Sequence, residues 1–210
     1  LAHQRPKVLS KSEADALIAR FKHDLSDAKH VLAVDFEATC DEDRTKIPRQ
    51  ESEIIEFGAC RVDLTTGEKF EFSTFVKPHV HPQLSEFCTK LTTITQEQVD
   101  GGVSFKTACE LLDIELACDI GIEKLVWVSW GQYDFNQLNT DCKRAGITSP
   151  LDGITHYNLK EVEAAIAGRR QIGLNGAVAE HNLTWHGTHH RGVDDAVNVA
   201  NILLKLLKEI

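Results

Sequence analysis

The stretch VLAVDFEAT, residues 31–39, decides how this chain folds. It opens as a continuous β-prone apolar run and ends on two acids, the pattern of a central strand covered on both faces of a sheet. Asp35 and Glu37 stand two apart, so both side chains leave the same face while Phe36 points to the other. Two carboxylates at the end of such a strand make a site for a hard cation, because burying them bare costs several kcal/mol each and a divalent metal offsets that cost. The spacing alone carries little: with 32 acids among 210 residues, acid-x-acid recurs about five times by chance. Position inside the strand singles out this pair, and a plain acidic strand end is the alternative.

Upstream, residues 11–28 place Ala14, Leu17, Ile18, Phe21 and Leu25 at helical spacing on a charged segment, which predicts a surface helix with one apolar stripe. Downstream, TCDEDRTKIPRQES, residues 39–52, has the composition of a long exposed loop. EIIEFGACRVDL and KFEFSTFVKP, separated by the turn signal TTGE, read as a β-hairpin. After Pro78 the chain reads as irregular to about residue 95. Phe105, Ala108, Leu111, Leu112 and Leu116 then predict a helix, and KLVWVSW, residues 124–130, a short buried strand. Further helices are expected over 132–145 ending at Gly146, over 158–168 ending at Gly168, over 174–180, and from about Val193 to the end. Three early strands followed by alternating helices and strands describe an α/β domain with a mixed sheet. No linker, repeat or low-complexity tract interrupts it, so a single domain over 1–210 is expected, with residues 1–29 as an N-terminal helical extension.

Composition narrows the function classes. At 42% hydrophobic and 26% charged residues the chain has the make-up of a globular protein with a core, which excludes disorder and fibrous repeats. A formal net charge of −9 and a pI near 5.5 leave no global positive field to attract a polyanion. No apolar run approaches the roughly 18 residues that span a bilayer, so no membrane partner is expected. LAHQRPKVLS lacks the layout of a secretory signal, and the expected compartment is the cytoplasm. Cys40, Cys60, Cys88, Cys109, Cys118 and Cys142 form no CxxC pair and no finger-like spacing with histidine, which is expected of reduced thiols more than of disulfides or a zinc site.

Three further residues carry candidate chemistry. Asp134 follows the strand LVWVSW and the turn residue Gly131 at the start of a predicted helix, where capping the helix is the simpler role. In HHRGVDDAVNVANILLKLL, Asp195 falls in a first helical turn with Asp194 as its competitor, and His190 lies on the loop just before; capping and a surface histidine are the plain alternatives. Strand ends and helix starts face one edge of an α/β sheet, where active sites collect. Carboxylates converging there beside an imidazole are what two-metal phosphoryl chemistry requires.

DFEAT, then YD after a strand, then H-x4-D at the last helix resembles the DEDDh 3′–5′ exonucleases, the ribonuclease T and oligoribonuclease superfamily with its ribonuclease-H-like fold. The resemblance covers residues 31–207, and FVKPHVHPQLSEFCTKLTTITQEQVD and GTHHRGVDDAVNVA are most similar to the branch of the RNA-interference-enhancer and histone-mRNA exonucleases. It implies a mixed sheet flanked by helices, with Asp35, Glu37, Asp134 and Asp195 as ligands of two divalent ions, Mg²⁺ or Mn²⁺, and His190 as general base. It selects Asp195 over Asp194, and His190 over His189, His186 and His181, because in the family the last Asp stands five residues after the His. By the same similarity Phe36, Ala38 and Thr39 line the ribose and 3′-hydroxyl pocket, and Leu91, Thr92 and Ile94 bracket sugar and base.

Tyr133 and Phe135 flank Asp134 and are candidates for stacking on the terminal base, Tyr133 foremost because its neighbours are polar; core packing is the alternative for all of these. Arg44, Lys46, Arg49 and Arg191 are candidate phosphate contacts, whereas Lys143, Arg144, Arg169 and Arg170 read as solvated surface. The implied activity is release of nucleoside 5′-monophosphates from a single-stranded 3′ end, RNA before DNA. A DNA-directed exonuclease and an inactive nucleic-acid-binding module are the competing readings, and the sequence is silent on oligomeric state.

Overall fold

The structure, a computed structural model, describes residues 8–117 and 125–210. Helix α1 (Lys11–Asp27) precedes three strands, β1 (His30–Ala38), β2 (Ile54–Asp63) and β3 (Lys69–Phe75). Then follow α2 (Glu86–Thr92), α3 (Gln96–Asp100), α4 (Phe105–Ala117), β4 (Leu125–Ser129), α5 (Tyr133–Ala145), β5 (Thr155–Asn158), α6 (Leu159–Ala167), α7 (Leu174–Glu180) and α8 (Gly192–Leu206). The strands form one mixed sheet in the order β3-β2-β1-β4-β5, antiparallel on the β2 side of β1 and parallel on the β4 side.

VLAVDFEA is thus the central strand, as its composition requires. Its alternation splits the core: Val31 and Ala33 pack with residues of α6, α7 and α8, while Leu32, Val34 and Phe36 pack with residues of α4 and α5. By the same period of two, Asp35 and Glu37 belong to the α8 face. Helix α1 docks through Phe21 and Leu25, with the Phe21 ring edge-on to Tyr157 at 4.9 Å and the Tyr157 hydroxyl donating to Asp24 at 2.6 Å.

Three short elements depart from the sequence expectation. The stretch from Pro78 to residue 95 is not irregular throughout, because Ser85 caps α2 and Thr93 closes it in the left-handed conformation. Thr95 then opens α3 with a capping box completed by Gln98. The four residues of β5 were hidden by THYN, which carries no run of apolar residues. The Arg144 guanidinium is not free surface either: it bonds Asp141 and the carbonyls of Gln50 and Ser52. Arg169 likewise joins Glu163 and Glu180. Lys124 and Cys118 lie outside the described residues, and the remaining five cysteines are free thiols.

What brings α8 onto the sheet is an absence of side chains. Gly58 pairs with Asp35 across β1 and β2, and a Cβ on it would lie 1.9 Å from the Gly192 carbonyl carbon; a Cβ on Gly192 would lie 2.8 Å from the Asp35 carbonyl oxygen. Both obstacles are backbone, so neither yields cheaply. Gly58→Ala is expected to destabilise the fold by about 3 kcal/mol, roughly 6–12 °C in Tm. Gly176→Ala, inside α7 with an Ile172 side-chain carbon 3.5 Å away, is expected to be neutral or stabilising. Thermal melts of the two variants test the contrast.

Candidate active site

The antiparallel register of β1 and β2 sets Asp35 opposite Gly58 and Glu37 opposite Glu56, and a register shift follows Glu37. Two glutamates directly opposite each other repel, so this arrangement needs compensation nearby. Glu56 receives it from α8. It is fully buried, its Oε2 accepts the Gly192 N–H at 3.0 Å and Arg191 Nε at 3.2 Å, and its Oε1 accepts Arg191 Nη2 at 3.3 Å and the Ser73 hydroxyl at 3.2 Å. A carboxylate at the start of α8 satisfies an orphan N–H and suits the helix dipole. Arg191, expected at a phosphate, is therefore committed to Glu56.

The same anchorage delivers Asp195 and His190. Asp195, in the first turn of α8, is 4% exposed, and its Oδ2 accepts the His190 N–H at 3.1 Å. His190 holds a positive φ of 62°, a conformation side chains rarely adopt, at the turn into the helix. The loop before it is clamped by Asn198, which accepts the His186 N–H and donates to the His186 and Asp194 carbonyls. Asp194 turns the other way and accepts the Thr188 N–H at 2.8 Å. The two adjacent acids have divided roles, Asp194 holding the loop and Asp195 facing the sheet.

Asp134, in the first turn of α5, is not a solvent-facing cap. It is 4% exposed and its Oδ1 accepts the Phe36 N–H at 2.9 Å, joining α5 to β1 between the two strand-end acids. Asp35, Glu37, Asp134, Asp195 and His190 all border one cavity of ≈ 430 Å³, in the range of about 300–1,000 Å³ typical of ligand sites. Asp35, Glu37 and Asp195 each bring a carboxylate oxygen within 4.8 Å of the others.

The electrostatics of this cluster point to a cation. Burial, then repulsion from Asp134, Glu37, Asp195 and Glu56, holds the Asp35 carboxyl well above the ordinary range. Burial and the neighbouring acids push Glu37 up to about 9 and Asp195 to about 7, and burial raises Asp134 to about 6 despite its backbone hydrogen bonds. One buried oxygen, Asp195 Oδ1, has no hydrogen-bond partner. Oxygen-only donors, mutual repulsion and an unsatisfied lone pair fit a hard divalent ion. His190 moves the opposite way: burial, then its neighbour His189, lowers its pKa, keeping the imidazole neutral and able to accept a proton.

The residues expected around the substrate divide. Tyr133, 44% exposed, borders both this cavity and an adjoining one of ≈ 370 Å³, where Thr39, Leu91, Arg44 and Arg49 also stand. Phe36 borders the catalytic cavity while its ring packs on Phe57 at 4.8 Å. Phe135 is a correction: its ring stacks on Trp127 and His156, at 5.7 Å and 5.0 Å, away from the cavity. Both residues flank Asp134 in sequence, but a helix turns about 100° per residue and sends them to opposite sides. Phe135, Leu138 and Cys142 form an i, i+3, i+7 stripe in the core, a signal already present in the sequence. Ala38, Thr92 and Ile94 are also buried, with Thr92 Oγ1 bonded to the Cys88 carbonyl and Ile94 in an apolar cluster. Trp130, Leu174 and Asn175, which no sequence pattern singled out, complete the far wall of the catalytic cavity.

Comparison with known proteins gives this geometry a context. The family model RNase_T, described as exonuclease, matches residues 32–203. The chain is 31% identical over 196 residues to the 3′–5′ exonuclease Snipper of Drosophila melanogaster, covering 86% of this chain and 70% of that protein. It is 32% identical to ERI1 exoribonuclease 2 of Homo sapiens over 86% of this chain but only 28% of that longer protein. Among solved structures, the nuclease domain of 3′hExo, a DEDDh family member bound to rAMP, superposes with a TM-score of 0.77 at 27% identity, covering 87% of this chain and 93% of that one.

The raised carboxyl pKa values reverse the usual acid lability. A carboxyl whose pKa is higher in the fold than in the unfolded chain stabilises the fold when protonated, and that contribution is lost as pH rises through the folded value. Without metal, Tm is expected to fall as pH rises through about 6, 7 and 9, where Asp134, Asp195 and Glu37 ionise in turn. Divalent cations bind the ionised native cluster, so saturating metal is expected to raise Tm, and more at about pH 8 than at about pH 5. Melts with metal and with EDTA across this range check both slopes; a Tm indifferent to metal overturns the cation assignment.

Proposed function

The chain belongs to the RNase_T exonuclease family and is a phosphodiester hydrolase of that class, and we propose that it removes nucleoside 5′-monophosphates from single-stranded RNA 3′ ends. The observation that carries this is the convergence of Asp35, Glu37, Asp134, Asp195 and His190 on one cavity. Support for RNA comes from the relative named an exoribonuclease and from the ribonucleotide held by the structural neighbour. DNA is the second reading, since the same cluster serves either polymer and contact with the 2′-hydroxyl decides between them.

We assign Asp35, Glu37, Asp134 and Asp195 as ligands of a divalent pair, Mg²⁺ or Mn²⁺. Such a pair supplies charge for the attacking and leaving oxygens of an in-line displacement. The chain's own residues do the rest. His190, neutral and half-buried, takes the proton of the attacking water, a contribution of about 10²–10⁴-fold in rate. Tyr133 and Leu91, exposed on the adjoining cavity, stack on and flank the terminal base, and Thr39 lines the sugar end. Arg44 and Arg49 border the same cavity and meet the strand's phosphates. Glu56 positions His190 by fixing Arg191 and Gly192, without touching the substrate. The proposed compartment is the cytoplasm, on the cysteine pattern, whose five described members are free thiols.

Matched 5′-labelled RNA and DNA oligonucleotides test the assignment. A ladder shortening from the 3′ end is expected with Mg²⁺ or Mn²⁺ and not with EDTA, faster on RNA. His190→Ala is expected to lower kcat by about 10²–10⁴-fold, and Tyr133→Ala to weaken binding by about 1–3 kcal/mol. Asp35→Asn behaving as wild type, or no shortening of either polymer, overturns the reading; faster DNA degradation replaces RNA with DNA. Glu56→Gln is expected to cost up to about 10²-fold in kcat with little change in KM, because it displaces the base and leaves the substrate contacts intact. A change confined to KM would remove Glu56 from that role.

A further inference from the structure

Beside the all-oxygen cluster stands a second group of donors of different chemistry. The nearest donor atoms of His189, His190 and Asp195 lie within 4.8 Å of one another. The two imidazoles are stacked, ring centroids 4.0 Å apart and 30° between planes, and the Trp185 ring meets His189 edge-on at 4.9 Å. Asp195 is 4% exposed and its Oδ1 has no hydrogen-bond partner, its other oxygen being held by the His190 N–H. The group therefore offers nitrogens of two imidazoles beside a buried carboxylate that keeps one oxygen without a partner.

We propose that His189, His190 and Asp195 form a second site, sharing Asp195 with the carboxylate cluster, for a borderline-soft transition metal, Zn²⁺ before others, whose occupation inhibits the enzyme. Zn²⁺ takes imidazole nitrogen and carboxylate oxygen at about 2.0–2.2 Å in four-coordinate sites, often leaving the fourth position to solvent. Mg²⁺ instead demands oxygen ligands and octahedral geometry. The two donor sets thus sort metals by hardness: the Asp35 and Glu37 side selects Mg²⁺ or Mn²⁺, and the histidine pair selects ions that favour imidazole. His189 is the exposed member of the three, and so the donor with room to turn toward an ion. Two consequences disable catalysis. The His190 lone pair that would accept a proton is taken, and Asp195 is drawn from the carboxylate cluster that it completes. The inhibition rests on the nuclease reading above, whereas the metal site itself does not.

Co²⁺ as a spectroscopic probe separates the two. Wild-type protein and Asp35→Asn are both expected to give the intense visible bands of low-coordinate, nitrogen-ligated Co²⁺, bands that Zn²⁺ displaces and His189→Ala abolishes. In Mg²⁺-supported RNA degradation, with each protein referred to its own zinc-free rate, His189→Ala is expected to raise the half-inhibitory Zn²⁺ concentration at least about tenfold, the loss of one ligand worth about 1.4 kcal/mol or more. Because His189 is exposed, its loss does not threaten the fold; His189→Gln provides a second variant with the same expectation. Co²⁺ bands that depend on His189 in a protein that cuts no nucleic acid would support this site and overturn the nuclease reading. An active nuclease whose Co²⁺ spectrum and Zn²⁺ sensitivity ignore both substitutions would overturn this site and support that reading.

Discussion

Backbone contact between Gly58 and Gly192 is the constraint on which the rest of the site depends. Central strands of a sheet are normally shielded by side chains, which keep a helix backbone from touching them. Here a helix start touches the strands directly, since a Cβ on Gly58 would overlap Gly192 and a Cβ on Gly192 would overlap the Asp35 carbonyl. Close approach brings the first turn of α8 to the height of Asp35, so Asp195 joins the strand-end acids and the preceding loop carries His190 to the same cavity. Glu56 then fastens what the glycines admit, using its whole carboxylate on Arg191, Gly192 and Ser73. Packing permits the approach, and a buried ionic contact fixes its register.

The price of this convergence is electrostatic. Asp35, Glu37, Asp134 and Asp195 all have carboxyl groups held above their ordinary range, burial being the largest cause in each. Asp134 and Asp195 each satisfy one backbone N–H, of Phe36 and His190, but those two bonds do not account for gathering four carboxyl groups in one buried place. The unfavourable placement is informative because it becomes favourable only with cations, which also reverse the sign of the field where a phosphate must sit. A net charge of −9 therefore does not oppose a nucleic-acid substrate at this cavity. It opposes extended, non-specific contact elsewhere on the surface, in keeping with a short footprint at a strand end.

Much of this was legible in the sequence where periodicity is long. The central strand, the hairpin, α5 and α8 each carry several turns or alternations of pattern, and the acids of the site sit at their ends. Elements of four to seven residues, β5, α2 and α3, were not legible, because they are too short to show a period: β5 is defined by its pairing with β4, and α2 and α3 are marked only by their local caps, Ser85 and Thr95 with Gln98. The site divides in the same way. Asp35, Glu37, Asp134, Asp195 and His190 are tied to element boundaries and could be read; Trp130, Leu174 and Asn175 reach the cavity only through tertiary packing. Phe135 illustrates a readable error: adjacency to Asp134 suggested the cavity, while the stripe it shares with Leu138 and Cys142 places it in the core.

Asp195 is where the two halves of the chemistry meet. One of its oxygens accepts the His190 N–H and the other is buried and unpartnered, while the residue belongs both to the group with Asp35 and Glu37 and to the group with His189 and His190. In the proposed mechanism, the position of the base and the completeness of the carboxylate set are thereby coupled through one side chain. A ligand that pulls Asp195 toward either side must disturb the other, since a carboxylate that is 4% exposed has little room to satisfy both by moving. This coupling explains why the adjacent acid, Asp194, cannot substitute: one residue along α8 its side chain points about 100° away, into the loop it already holds at Thr188. The H-x4-D spacing lets the first turn of α8 bond back to the His190 N–H on the preceding loop while Asp195 still borders the cavity.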